Sequence, residues 1–198
     1  MDIMIIVYAV LAYFIGSIPS GLIIGKTFFN TDVRQYGSKN IGATNTYRVI
    51  GLKAALPVFL CDALKGAAGV VLLSSYGPMY MILGGILAMM GHNWSIFLGF
   101  KGGRGVATGL GVLIALSPLV ALLCFLVWGI IVYFTKLVSL GSIVAAALVP
   151  VLMYVTGESY WFVGFGGLAA LFVIVRHWDN IKRLLVGNEL KVERIKKD

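Results

Sequence analysis

Residues 106–136 read VATGLGVLIALSPLVALLCFLVWGIIVYFTK. From Val106 to Thr135 no side chain carries a formal charge, and the clearest punctuation is Ser117-Pro118, a turn signal. Read as one helix, the stretch is a single pass. Read as two runs, 106–117 and 119–134, it is a hairpin, and everything after it moves to the other side of the membrane. The topology of the whole chain turns on this choice.

Composition puts the chain in a membrane. Hydrophobic residues make up 60%, charged residues 12%, and mean hydropathy is +0.96. A soluble domain carries about 25% charged residues. The other apolar runs are 3–24, 54–73, 79–91, 137–156 and 160–175, set apart by turn formers such as Ser74-Ser75-Tyr76-Gly77-Pro78 and Gly157-Glu158-Ser159. They lack the strict alternation of a barrel strand, so helices are expected. A span needs about 20 residues, so 79–91 and 106–117 are either half-spans or spans lengthened by their polar flanks.

Charge decides between the counts. With seven passes and the N-terminus outside, Lys26, Arg34, Lys39, Arg48, Lys53, Lys101, Arg104, Lys136 and the basic tail from Arg176 to Lys197 all fall inside. Asp2 and Glu158 fall outside with no Lys or Arg, and Lys65 is left over. Fusing 106–134 breaks this arrangement. The expectation is an all-α, polytopic integral membrane helix bundle of about seven transmembrane helices. Its N-terminus is outside, its C-terminus is cytoplasmic, and residues 1–198 form one domain.

Other features narrow the class. The formal charge of +8 reads first as positive-inside loops and contact with anionic headgroups, not as nucleic-acid binding. Asp2, and no Lys or Arg, precedes the first apolar run, so that run reads as a permanent span and not a cleaved signal. Cys61 and Cys124 sit in separate apolar runs and read as reduced packing residues. Asp62 and Lys65, three apart, share a helical face as a buried pair or as support for a site. The chain does not divide into two equal repeats.

Three polar segments interrupt the apolar chain, and the seven-pass reading places all of them on the cytoplasmic face. Gly37-Ser38-Lys39-Asn40-Ile41-Gly42-Ala43-Thr44-Asn45 with Arg48 offers hydroxyls, amides and a guanidinium that can grip an oxyanion bidentately. Such residues suit a polyol with a phosphate end, or a plain soluble loop. Lys101-Gly102-Gly103-Arg104-Gly105 precedes a helix start that includes Thr108. Glycines that turn N–H groups inward, a helix N-terminus and two cations make a phosphate site, or else a tight turn. Arg176-His177-Trp178-Asp179-Asn180 brings Arg176, His177 and Asn180 near one helical face, with Glu189 beyond and a basic tail that reads as a solvated face.

Several chemistries are missing. There is no metal-ligand spacing, no Walker spacing and no Gly-x-Ser-x-Gly elbow. His92 is followed by Asn93, Trp94, Ser95, Ile96 and Phe97, so the histidine–aspartate pair of many acyltransferases is absent. An enzyme built from these parts works mainly by recognising and positioning phosphate. A transporter of a small organic phosphate and a non-catalytic lipid-binding scaffold use the same residue types. The transporter is disfavoured by polar clusters confined to one face.

Taken together, the segments resemble the three cytoplasmic motifs of the bacterial acyl-phosphate:glycerol-3-phosphate acyltransferases, the PlsY family. The resemblance covers nearly the whole chain in size, motif order and membrane spacing. It rests on Gly37-Ser38-x-Asn40-Ile41-Gly42-Ala43-Thr44-Asn45-x-x-Arg48, the stretch from Gly91-His92 to Thr108, and Arg176-His177-x-x-Asn180-Ile181-x-Arg183 with Gly187 and Glu189. It departs at Arg104, where the family commonly has Lys; the charge is kept, but a point charge becomes a planar fork.

The resemblance implies transfer of a fatty acyl group from acyl phosphate to the sn-1 hydroxyl of glycerol 3-phosphate, the first step of bacterial phospholipid synthesis. It implies catalytic roles for Ser38, Arg48, His177 and Asn180. Substrate contacts are implied for Asn40, Thr44, Asn45, Lys101, Gly102, Gly103, Arg104, Gly105 and Thr108, with structural support from Glu189. No cofactor, metal or nucleic acid is implied; the partners are the two substrates and membrane lipids. The implied location is the bacterial cytoplasmic (inner) membrane, multi-pass, with the site facing the cytoplasm.

Overall fold

The structure is a computed structural model that describes residues 2–194; Lys196 and Lys197 of the basic tail lie outside the described residues. Ten α-helices and three short 3-10 turns make up its regular structure, and no strand occurs among the described residues.

The first apolar run is broken where one continuous span was expected. Helix α1 (Ile3–Ser17) and α2 (Ser20–Phe29) meet at 46°. Pro19 causes this: it has no N–H to give and restricts the residue before it to extended backbone, and Ile18 sits at φ −57°, ψ 118°. The first polar segment is not all loop either. From Ala43 to Val49 it forms α3, after which α4 (Leu52–Leu72) begins. Helix α5 (Pro78–Asn93) starts with proline at its first position, where a missing donor costs nothing.

The opening stretch does divide in two. Helix α6 (Val106–Leu116) and α7 (Pro118–Thr135) are separated at Ser117, again with proline opening the second helix. Helices α8 (Val138–Val155), α9 (Tyr160–Arg176) and α10 (Trp178–Leu185) complete the chain. Four helices are long and apolar enough to cross a bilayer, or up to six if the bent pairs α1–α2 and α9–α10 each count as one span. Helix α6, with 11 residues, is apolar but shorter than a full span. The 61° bend at His177 also divides the third segment, so Arg176 and Asn180 belong to different helices and not to one face.

The helices pack in a ring. Helix α1 lies on α5 and α4, α4 on α6, α6 on α7, α7 on α8 and α8 on α9, which reaches back to α5 and α6. Lipid and core are both apolar, so close backbone approach and dispersion hold such a ring together. The α4–α6 crossing shows how: a Cβ on Gly66 would strike the Thr108 carbonyl, and one on Gly111 the Ala63 carbonyl. Val70, Ile82, Met89, Val112, Leu116, Phe165 and Val173 fill the space between α4, α5, α6 and α9. Cys124 is buried in a second cluster with Val120, Val149 and Met153, between α7 and α8, but Cys61 is exposed on α4 and so is not a packing residue. The tail beyond α10 is not a plain solvated face. It folds back over the ring: Val192 N–H donates to the Lys136 carbonyl at 2.9 Å, and Arg194 Nη2 to the Ile50 carbonyl at 3.0 Å.

Candidate active site

A cavity of about 190 Å³ opens inside the ring, and all three polar segments reach it. Ser38, Asn40, Thr44, Asn45 and Arg48 come from the first, Arg104 and Gly105 from the second, His177 and Asn180 from the third, with Glu189 behind them. Much of the remaining wall is apolar, including Phe59, Leu110, Leu113, Phe125, Trp128 and Phe165. Lys101, Gly102, Gly103 and Thr108 do not line it.

Asn45 organises the first segment. Its buried Nδ2 donates to the carbonyls of Val33 (2.8 Å) and Asn40 (2.9 Å), and its Oδ1 accepts from the Ser38 N–H at 2.8 Å. The amide is thus engaged in folding the loop that presents Ser38 and Asn40. Asn40 Oδ1 in turn accepts from Gly42 N–H at 2.8 Å, just ahead of α3.

The second segment is clamped to the end of α5. Gly102 N–H donates to the Asn93 carbonyl (3.1 Å) and Gly103 N–H to the His92 carbonyl (3.0 Å). These two amides therefore do not form the inward-facing nest expected from the glycines. What glycine allows is close approach, since a Cβ at Gly103 would run into the His92 ring. Gly105 has φ +78°, a left-handed conformation that suits glycine. Arg176 Nη2 donates to the Gly103 carbonyl at 2.7 Å and fixes the loop from the other side. Lys101 is exposed, while Arg104 turns into the cavity. Thr108 is fully buried on α6, where its backbone meets Gly66.

His177 is buried, with Nδ1 2.8 Å from the Val173 carbonyl. A carbonyl only accepts, so Nδ1 carries the hydrogen and Nε2 holds the lone pair of the neutral ring. Asn180 Nδ2 donates to Glu189, as do Ser139 Oγ at 2.8 Å and Arg183 Nε at 2.7 Å. Burial works against the charged form of Glu189, but these hydrogen bonds and the Arg183 charge outweigh it and hold the carboxyl below its usual range. Burial lowers the Arg48 and Arg104 guanidiniums, with Glu189 opposing the shift, yet Arg remains a cation in proteins. Four guanidiniums, Arg48, Arg104, Arg176 and Arg183, share a field with the Glu189 carboxylate, while the cavity's other carboxylate, Asp62, is paired with Lys65. That imbalance favours an anionic guest.

Ser139 and Ser142 on α8, Asp62 on α4 and His92 on α5 also line the cavity. Sequence reasoning gave Ser139, Ser142 and His92 no role in the site and read Asp62, with Lys65, as a buried pair or as support for it. The serines, three apart in an apolar run, were the available signal. Among the described residues no three His, Cys, Asp or Glu side chains gather as a metal site.

The arrangement has a cationic, hydrogen-bonding part and an apolar part in one cavity, which suits a molecule with an anionic head and an aliphatic body. Known proteins point the same way. The family model described as "Glycerol-3-phosphate acyltransferase" matches residues 6–187. A protein of that name from Fusobacterium nucleatum is 46% identical over 186 residues, covering 93% of this chain and 96% of its own. "Glycerol-3-phosphate acyltransferase 2" from Moorella thermoacetica is 47% identical over 184 residues, covering 92% and 95%. The crystal structure of PlsY (YgiH), an integral membrane glycerol 3-phosphate acyltransferase, in its glycerol 3-phosphate form is 38% identical with a TM-score of 0.89, covering 94% of each chain. Its lysophosphatidic acid form superposes with a TM-score of 0.87 at 37% identity.

Proposed function

The chain belongs to the glycerol-3-phosphate acyltransferase family, and on that premise we propose that it moves a fatty acyl group from acyl phosphate to the sn-1 hydroxyl of glycerol 3-phosphate. The products are 1-acyl-glycerol 3-phosphate (lysophosphatidic acid) and inorganic phosphate. The observation that carries this reading is the single cavity in which Arg48, Arg104, His177 and Asn180 meet an apolar wall. Both substrates have a phosphate, and one has a long aliphatic chain.

The sn-1 oxygen attacks the acyl carbon, a new C–O ester bond forms, and the bond from the acyl carbon to the phosphate oxygen breaks. Phosphate leaves with that electron pair and takes the hydroxyl proton. Acyl phosphate is already activated, so no nucleophilic side chain is required. Arg48 and Arg104 hold the two phosphates, and buried cations act strongly on charge where water is excluded. Ser38, His177 Nε2 and Asn180 orient the hydroxyl and the acyl group, while Asn40 and Thr44 contact the polyol. Asn45 and Glu189 keep these groups in place, Gly102, Gly103 and Gly105 shape the loop, and Thr108 supports its helix. Lys101 attracts the anions from the rim.

In this reading the chain sits as one domain in the bacterial cytoplasmic membrane with its N-terminus outside. The polar part of the cavity opens to the cytoplasm, where glycerol 3-phosphate is dissolved, and the apolar part lies within the bilayer. The test uses protein purified into lipid and supplied with palmitoyl phosphate and glycerol 3-phosphate. Equal amounts of lysophosphatidic acid and free phosphate are expected, and acyl-CoA in place of acyl phosphate is expected to give neither. Product from acyl-CoA alone, or an acylated protein trapped from donor alone, overturns the donor or the direct attack respectively.

A further inference from the structure

Asp62 and Lys65 lie within α4, buried in the bundle and 2.7 Å apart. Charges at such depth are costly and rarely kept without a task. The pair reaches in two directions. Lys65 Nζ donates to the Ile18 carbonyl at 3.0 Å, at the break between α1 and α2. Asp62 Oδ1 lies 3.7 Å from Nδ1 of His92, a buried nitrogen with no hydrogen-bond partner in the protein. The opposite side of the His92 ring faces Gly103, near enough that one added methyl group would overlap it. Arg104 follows Gly103 and enters the cavity, which Asp62 and His92 also line.

We propose that Asp62 is a positioning residue: its carboxylate, held by Lys65, sets the His92 ring, and the ring sets the loop that aims Arg104. The route is Lys65 to Asp62 to His92 to Gly103 to Arg104: two side-chain contacts, then the His92 ring against the Gly103 backbone, then a peptide bond. A pair serving stability alone can be replaced by neutral residues without loss, since desolvation cancels most of its attraction. A pair that orients His92 cannot. This inference rests on the proposed reaction only where turnover is the readout.

The test is the double variant Asp62→Asn with Lys65→Met, which leaves no unpaired charge in the membrane. Two measurements are made on detergent-purified protein: hydrogen exchange of the amides at Gly102 and Gly103, and steady-state kinetics with acyl phosphate. Faster exchange at those two amides is expected, with exchange across α7 and α8 unchanged. The KM for glycerol 3-phosphate is expected to rise about tenfold while kcat changes little. Adding His92→Gln to the double variant is expected to raise KM no further, because both changes act on one route. A folded double variant with the wild-type KM overturns the proposal, whatever its exchange. If the double variant does not fold, His92→Gln alone is read by the same two criteria. If wild-type protein makes no lysophosphatidic acid, the functional reading falls separately, and the exchange result decides the positioning role.

Discussion

Arg48 Nη2 donates to the carbonyl of Leu190 at 2.7 Å, across 142 positions of sequence. Nε makes a matching bond to the Lys191 carbonyl at 2.9 Å. The C-terminal strap thus orients a buried guanidinium and leaves its remaining donors at the cavity wall. Arg48→Ala removes a charge-assisted contact, so kcat/KM for glycerol 3-phosphate should fall by about 1.5–3 kcal/mol of binding, or roughly tenfold to more than a hundredfold. Arg48→Lys keeps the charge but not the fork, and should restore only part of the loss. Steady-state kinetics decides this; full activity in Arg48→Ala would remove Arg48 from the site.

Gly103→Ala places a methyl group against the His92 ring. The ring is buried and cannot swing away freely, so the loop must shift and carry Arg104 with it. The KM for glycerol 3-phosphate should rise sharply while the amount of protein in the membrane stays constant. Gly99→Ala is a weaker control: nothing lies within 4 Å of its Cβ, although φ +58° adds local strain. Equal effects of the two substitutions would point to backbone strain and not to the His92 contact.

Glu189 gives a pH signature. Its folded-state pKa is depressed against the opposing effect of burial by bonds from Asn180, Ser139 and Arg183. A depressed carboxylate stabilises the fold fully above its unfolded pKa of about 4.3 and loses that contribution as pH falls through the lower folded value. Thermal stability in detergent should therefore gain nothing from Glu189 as pH rises above about 5. The acid-side loss should be smaller in Glu189→Gln, whose starting stability is lower. An identical acid limb in both proteins would mean that Glu189 is not the group responsible.

The residues of the three segments were legible because their types are costly in an apolar chain. Arg48, Arg104, His177 and Asn180 have little reason to be there unless they meet something polar. What holds them was not legible. Arg48 is fixed by backbone carbonyls of the strap, and a carbonyl has no sequence signature. Pro19 was visible, but the run around it is apolar on both sides and hid the break. The glycines of 102–105 suggested free amides, whereas their partners are carbonyls at the end of α5, set by tertiary packing. Ser139 was overlooked because a serine in a membrane helix usually bonds its own backbone, as Ser142 does to Val138. Ser139 instead bonds Glu189. Ser139→Ala should therefore loosen the strap by about 1.5 kcal/mol, seen as earlier proteolysis beyond Gly187, whereas Ser142→Ala should not.

The apolar part of the cavity offers the last check, because it must hold the acyl chain if the reading is correct. Ala146 on α8 lines it and is packed beside the Val70–Phe165 core. Ala146→Phe puts a ring where an aliphatic chain would lie, at a packing cost of about 1–3 kcal/mol. Long-chain acyl phosphates should lose kcat/KM more than short ones, and the KM for glycerol 3-phosphate should hold, since Arg48 and Arg104, the cations proposed to hold the phosphates, lie at the other part of the cavity. The ratio of long-chain to short-chain rates separates this from general damage, which lowers both alike. If the ratio stays at the wild-type value in a folded variant, the acyl chain lies elsewhere, against the outer face of the ring, and the cavity serves the polar substrate alone.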